Sequence, residues 1–206
     1  MKPHRALHML LEPGGITPVF QPICLVDGRE WTLFGYECLS RGPKGTNFES
    51  AGVLFDYVRL KREESLVDRA CISAALNAAA QSLPSNVHLS INVHASTLGR
   101  DHGFIEFLTT AASSAAIALT RLTVEIVEHA PPWDGVSFLS GLEQLRSMGI
   151  KIALDDVGLG QSNFKMLIDV CPNYLKLDRY FVEECVSDPR RQAVIGVISH
   201  LATYFG

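Results

Sequence analysis

The sequence predicts an α/β fold built on a mainly parallel sheet, either open and doubly wound or closed into a barrel. Three observations carry that expectation. Short apolar runs rich in β-branched residues alternate with segments of helical period. Acidic or amide side chains recur where those runs stop: Glu37, Asn92, Glu125, Asp155 and Asp156. Finally, 206 residues, 47% of them hydrophobic, suffice for one sizeable core, and no internal linker divides them.

The elements follow in order. Residues 1–16 read as a lead-in to a domain spanning 17–206. Thr17 to Val26 and Leu33 to Leu39 form an expected strand pair, joined by a turn around Asp27-Gly28. Ser65 to Ser82 has helical period, Val87 to Val93 reads as strand and Phe104 to Ala115 as helix. Leu122 to Val127 is the next strand, and the helix over Val136 to Met148 is stopped by Gly149. Ile150 to Leu154 is a strand, Ser162 to Val170 a helix ended before Pro172, Tyr174 to Leu177 a strand and Arg191 to Tyr204 a helix. That makes about six strands on pattern alone.

Composition removes several function classes. Eighteen basic and 22 acidic residues leave a net charge of −4, which offers no general basic surface to long nucleic acids or anionic membranes. The five cysteines, Cys24, Cys38, Cys71, Cys171 and Cys185, include no CxxC pair. Neither a zinc knuckle nor a disulfide framework is indicated, and a reducing cytoplasm is the expected setting. No segment reaches membrane-spanning length, and the first 15 residues lack the pattern of a signal peptide.

Each strand-end residue has a bland and a functional reading. Glu37 interrupts an apolar strand, where an unpaired carboxylate is costly to bury, so it pairs with Arg41 or holds a metal. Asn92 either closes its strand on a loop amide or joins a ligand set. Glu125 and Glu128 form a pair that is solvated or cation-bound. Asp155 and Asp156 put like charges at a strand mouth before Gly158 and Gly160; a cation would stabilise both, and phosphate-accepting signalling domains share the pattern. The glycines match neither a dinucleotide fingerprint nor a P-loop. Lys176 is paired with Asp178 or with an acid on a neighbouring strand, or else orients a water or phosphate oxygen.

Taken in order, these motifs resemble the EAL family of cyclic di-GMP phosphodiesterases. The resemblance rests on Phe20-Gln21-Pro22-Ile23, Gly35-Tyr36-Glu37-Cys38-Leu39-Ser40-Arg41, Ile91-Asn92, Glu125-x-x-Glu128, Asp155-Asp156-x-Gly158-x-Gly160 and Lys176-Leu177-Asp178. Cys38 stands where the signature has alanine, Val157, Leu159 and Gln161 replace the usual loop residues, and His94 and Val127 stand where serine and threonine are common. The resemblance implies a TIM-like (β/α) barrel, incomplete at the C-terminus because the family's last two strand-helix units lie beyond Gly206. It further implies Glu37, Asn92, Glu125 and Asp155 as ligands of a first metal and Asp156 as serving a second. Lys176 matches the family's active-site lysine, and Glu128 the glutamate that braces the loop after the paired aspartates. Gln21, Leu39 and Arg41 match positions that hold the dinucleotide, Arg41 through phosphate.

Oxygen-only ligands favour Mg²⁺ or Mn²⁺, two ions in this reading, over zinc. The expected activity is hydrolysis of cyclic di-GMP to linear pGpG, with a homodimer as a possible assembly. The alternative is a catalytically silent module that binds cyclic di-GMP or a partner through the same mouth.

Overall fold

The computed structural model describes residues 3–127, 135–158 and 164–205. Six strands form one sheet in chain order: β1 (Thr17–Asp27), β2 (Glu30–Arg41), β3 (His88–His94), β4 (Leu122–Val127), β5 (Lys151–Val157) and β6 (Tyr174–Leu177). β1 and β2 are antiparallel, and every later pairing is parallel. With helices between the parallel strands, this is an incomplete barrel whose edges, among the described residues, are β1 and β6. The first turn lies at Gly28-Arg29 rather than Asp27-Gly28, and both hairpin strands run longer than expected. Gly28 has φ +60°, the backbone sign that two-residue hairpin turns require. Only Gly35 to Cys38 of β2 pair with β3, so the outer half of the hairpin projects past the parallel sheet.

Nine helices are described: α1 (Pro3–Leu11), α2 (Ala51–Lys61), α3 (Glu64–Ser82), α4 (Ala95–Arg100), α5 (Phe104–Ser114), α6 (Gly135–Ser147), α7 (Phe164–Val170), α8 (Arg179–Val182) and α9 (Pro189–Phe205). Strand alternation sorts the central strands into two faces. Ile91, Val93, Val124, Ile126, Ile152 and Leu154 are fully buried in the main core, where they meet Ile72, Leu76, Leu108, Leu142 and Leu145 of the covering helices. The opposite face carries Asn92, Glu125 and Asp155, so one alternating pattern builds both the core and a polar interior. Burying a leucine- or isoleucine-sized side chain contributes about 1.5–3 kcal/mol, which is why the central strands hold their register.

A second, smaller core joins the three helices that precede β3. Ala6 and Leu10 of α1 pack with Leu54 and Val58 of α2 and with Val67 and Cys71 of α3. The sequence reading missed α1, α2 and the short α4 and α8. The first of these lies inside the 1–16 lead-in, which is thus tied down by an apolar face at i, i+4 spacing. None of the described helices is long and apolar enough to cross a membrane.

Candidate active site

The carboxyl ends of the parallel strands bring Glu37, Glu125 and Asp155 together. One carboxylate oxygen from each lies within 4.8 Å of the other two, although the residues come from β2, β4 and β5. The pairing register explains the meeting. Asn92 is level with Glu125, and Glu37 is level with Ser90 on the neighbouring strand. Asn92 donates from Nδ2 to Glu37 Oε1 at 3.1 Å, so it orients the carboxylate rather than closing its strand on a loop amide.

Lys176 of β6 completes the cluster. Its Nζ is 3.2 Å from Glu37 Oε1 and 3.1 Å from Asp155 Oδ1, and it donates to Glu125 Oε2. This is the neighbouring-strand alternative for Lys176; Asp178 instead caps α8, accepting from the Tyr180 backbone N–H at 2.6 Å. The Glu37–Arg41 alternative is not formed. Residues four apart on a strand are separated by about 13 Å, beyond the reach of a direct bridge, and Arg41 Nη1 donates to the Ser40 carbonyl at 2.9 Å.

Three carboxylates facing one ammonium leave a charge near −2 when all are ionised. Glu125 is 1% exposed, and burial pushes its carboxyl up to about 7; Lys176 opposes that rise and Glu37 adds to it. Burial by itself would lower the Lys176 ammonium, but Glu125, Asp155 and Glu37 together raise it above its ordinary range, so lysine stays charged. A group of hard oxygen donors with excess negative charge fits a divalent cation of the Mg²⁺ or Mn²⁺ type. Cys38, beside Glu37, is not a competing soft ligand. Burial, then Glu125 and Glu37, push its thiol up to about 12, and the thiolate is the form that binds metal.

Asp156 does not join the three-carboxylate cluster. Its φ of +52° is left-handed, which for a residue other than glycine is a strained conformation, and the β5–β6 register breaks between Leu154 and Val157. Gly158 follows with φ +103°, and a β-carbon there would lie 2.5 Å from the Phe181 ring. Glu128 and Gly160 lie outside the described residues. Gln21 is level with Glu37 in the antiparallel pair and exposed.

A cavity of about 190 Å³ opens beside the cluster, lined by Glu37, Asn92 and Asp155 and, farther along, by Leu39, Arg41 and Arg59. Asp68 and His94 line it too, and they belong to a network that sequence reasoning missed. Asp68, 2% exposed, accepts the His94 backbone N–H at 2.9 Å and the Thr97 hydroxyl at 2.6 Å. His94 Nδ1 is 2.8 Å from its other oxygen. Two signals were available in the sequence: a lone aspartate in the otherwise largely apolar helical run Ser65 to Ser82, and His94 where serine is common.

Comparison with known proteins agrees with this geometry. The sequence matches the EAL domain family over residues 4–206. It is 30% identical over 206 residues to the probable cyclic di-GMP phosphodiesterase PdeG of Escherichia coli K12, covering 97% of this chain and 40% of PdeG. The Bacillus subtilis YkuI protein, solved in complex with cyclic di-GMP and calcium, superimposes with a TM-score of 0.74 at 29% identity, covering 98% of this chain and 50% of that one. A standalone EAL protein of Vibrio cholerae O395 in a cyclic di-GMP-bound form gives 0.76 at 29% identity, covering 91% of this chain and 78% of that one. The chain thus spans about half or less of the length of PdeG and YkuI.

Proposed function

The chain belongs to the EAL domain family, which it matches over residues 4–206, and on that premise we propose that it hydrolyses cyclic di-GMP to linear pGpG with the help of divalent metal. One observation carries the reading: Glu37, Glu125 and Asp155 converge from three strands on a single ammonium, leaving negative charge that a hard cation would offset. The cyclic di-GMP named for PdeG, YkuI and the V. cholerae protein supports the substrate. The calcium named with YkuI supports a divalent site.

Mg²⁺ or Mn²⁺ bound there, as one ion or two, supplies neutralisation of the phosphodiester and acidifies the attacking water. Glu37, Asn92, Glu125 and Asp155 are the proposed first-metal holders, with Asp156 serving a second ion. Asn92 fixes the Glu37 carboxylate by the bond described above. Lys176, kept protonated by its three acids, orients an oxygen of the phosphate or the attacking water. Gln21, Leu39 and Arg41 hold the dinucleotide, Arg41 through phosphate, and Glu128 braces the loop after the paired aspartates. The same reading includes a homodimer in the cytoplasm.

The test is chromatographic detection of pGpG from cyclic di-GMP in Mg²⁺, abolished by a chelator and restored by excess metal. Full turnover in the chelator would refute the metal-dependent mechanism. A silent binding module is the second reading, favoured by Lys176, which already offsets part of the cluster's charge. Calorimetry separates the two: cyclic di-GMP binding with no pGpG formed in Mg²⁺ or Mn²⁺ selects the binding module.

A further inference from the structure

We propose that Arg59 of α2 binds the phosphodiester of cyclic di-GMP that is not cleaved, an assignment that rests on reading the mouth as a cyclic di-GMP site. A cyclic dinucleotide carries two phosphate charges, and the carboxylate cluster with its cation serves one of them. The other needs a cation from the protein, and a chain of net charge −4 offers no general positive surface to supply it.

The cavity beside the cluster is where that cation must stand. Glu37, Asn92 and Asp155 line it near the cluster, and Ala51, Phe55 and Arg59 line it from α2. Those three residues are spaced four apart, so they form one stripe of the helix. The stripe has no freedom to turn away. Leu54 and Val58, the preceding residue in each turn, are fully buried in the small core with Leu10 and Val67, and that packing fixes the rotation of the helix. The Phe55 ring in turn lies against the His94 ring, with centroids 5.7 Å apart. His94 is itself anchored by Asp68, so the wall beside Arg59 is rigid.

The present partner of Arg59 is easily exchanged. It pairs with Asp56 one turn back on the same helix, and that carboxylate is 74% exposed. An exposed i,i+3 pair contributes far less than a guanidinium–phosphate contact inside a partly enclosed cavity. Arg41 lines the same cavity from β2, the strand that carries Glu37, while Arg59 comes from the helical wall. Guanidinium groups on two separate elements can hold the one phosphate that the cluster does not serve from two sides.

The experiment is calorimetry on the whole chain in Ca²⁺, with cyclic di-GMP and with linear GpG, which has one phosphodiester. Arg59→Met keeps the aliphatic stem without the charge, and Arg59→Lys keeps both charge and stem; thermal melts confirm that both variants fold. The expected result is a loss of about tenfold to a hundredfold in cyclic di-GMP affinity for Arg59→Met, with GpG affinity within about twofold of wild type. Arg59→Lys should recover most of the loss. Arg59→Met binding cyclic di-GMP as wild type does, or losing equally on both ligands, overturns the assignment. A wild-type chain that binds neither ligand refutes the cyclic di-GMP reading itself, whereas normal wild-type binding with an indifferent Arg59→Met refutes only the role of Arg59.

Discussion

A buried aspartate and a partly buried cluster of three acids sit at the same end of the sheet and are balanced in opposite ways. Asp68 is a single carboxylate with three donors: a backbone N–H, an imidazole and a hydroxyl. Burial alone would lower the His94 imidazole, but Asp68 beside it raises the ring above its ordinary range. The Glu37–Glu125–Asp155 cluster has the reverse ratio, three carboxylates around one ammonium. Both groups are costly to desolvate. The difference separates an acid that holds the fold from the acids we propose for a ligand: the satisfied one, Asp68, ties α3 to the end of β3 and to α4, and the cluster keeps an excess of negative charge.

The largest expected effect breaks that comparison at the cluster. Glu125→Gln keeps the shape and a hydrogen-bonding oxygen for Lys176 but removes a charged ligand. Turnover of cyclic di-GMP should fall by a thousandfold or more, roughly 4 kcal/mol in barrier height. Melting in the absence of metal should stay the same or rise, because the cost of burying the Glu125 charge, the largest influence on its carboxyl, is gone along with the repulsion from Glu37 and offsets the lost attraction to Lys176. Turnover within tenfold of wild type would remove Glu125 from the ligand set.

At the satisfied acid, Asp68→Asn should do the opposite. An amide turns one acceptor into a donor facing donors, and stability measured by urea unfolding should drop by about 3 kcal/mol. Any loss of turnover should follow the loss of folded protein. A variant that unfolds like wild type yet is inactive would make Asp68 a direct participant in the chemistry.

A third acid sharpens the scale between the two. Asp101 receives two bonds of 2.7 Å from Arg69, and that pairing holds its carboxyl below the usual range. A lowered carboxyl contributes stability above its unfolded value and loses it as pH falls through the folded one. Asp101→Asn should therefore cost about 1 kcal/mol at pH 7. The gap to wild type should close as the solution is acidified past the ordinary aspartate value of about 3.9. A gap that persists in strong acid would mean that the loss comes from packing instead of charge.

The cluster was legible in the sequence because a carboxylate in an apolar run is an anomaly that demands an explanation. Glu37, Glu125 and Asp155 each interrupt such a run, and alternation put them on the face opposite Ile126 and Leu154. Lys176 was legible as a cation needing an acid, but which acid depended on strand order, a property no local pattern contains. Helix α2 was not legible. Of its apolar residues only Leu54 and Val58 are buried, while Val53 and Leu60 are exposed, so its periodic signal is diluted. The Asp68 network stayed hidden for a related reason: its members are 26 and 29 residues apart and meet only when α3 lies over the end of β3.

Strand order matching chain order sets a schedule for synthesis on the ribosome. Each new strand finds its neighbour already in place, so the sheet can zip forward without waiting for distant segments. The acids emerge at positions 37, 125 and 155, and the lysine that partly offsets them emerges last, at 176. A nascent chain halted before Tyr174 carries the whole negative burden without relief. Protease sensitivity of ribosome-bound chains stopped on either side of that point would register the arrival of the missing positive charge.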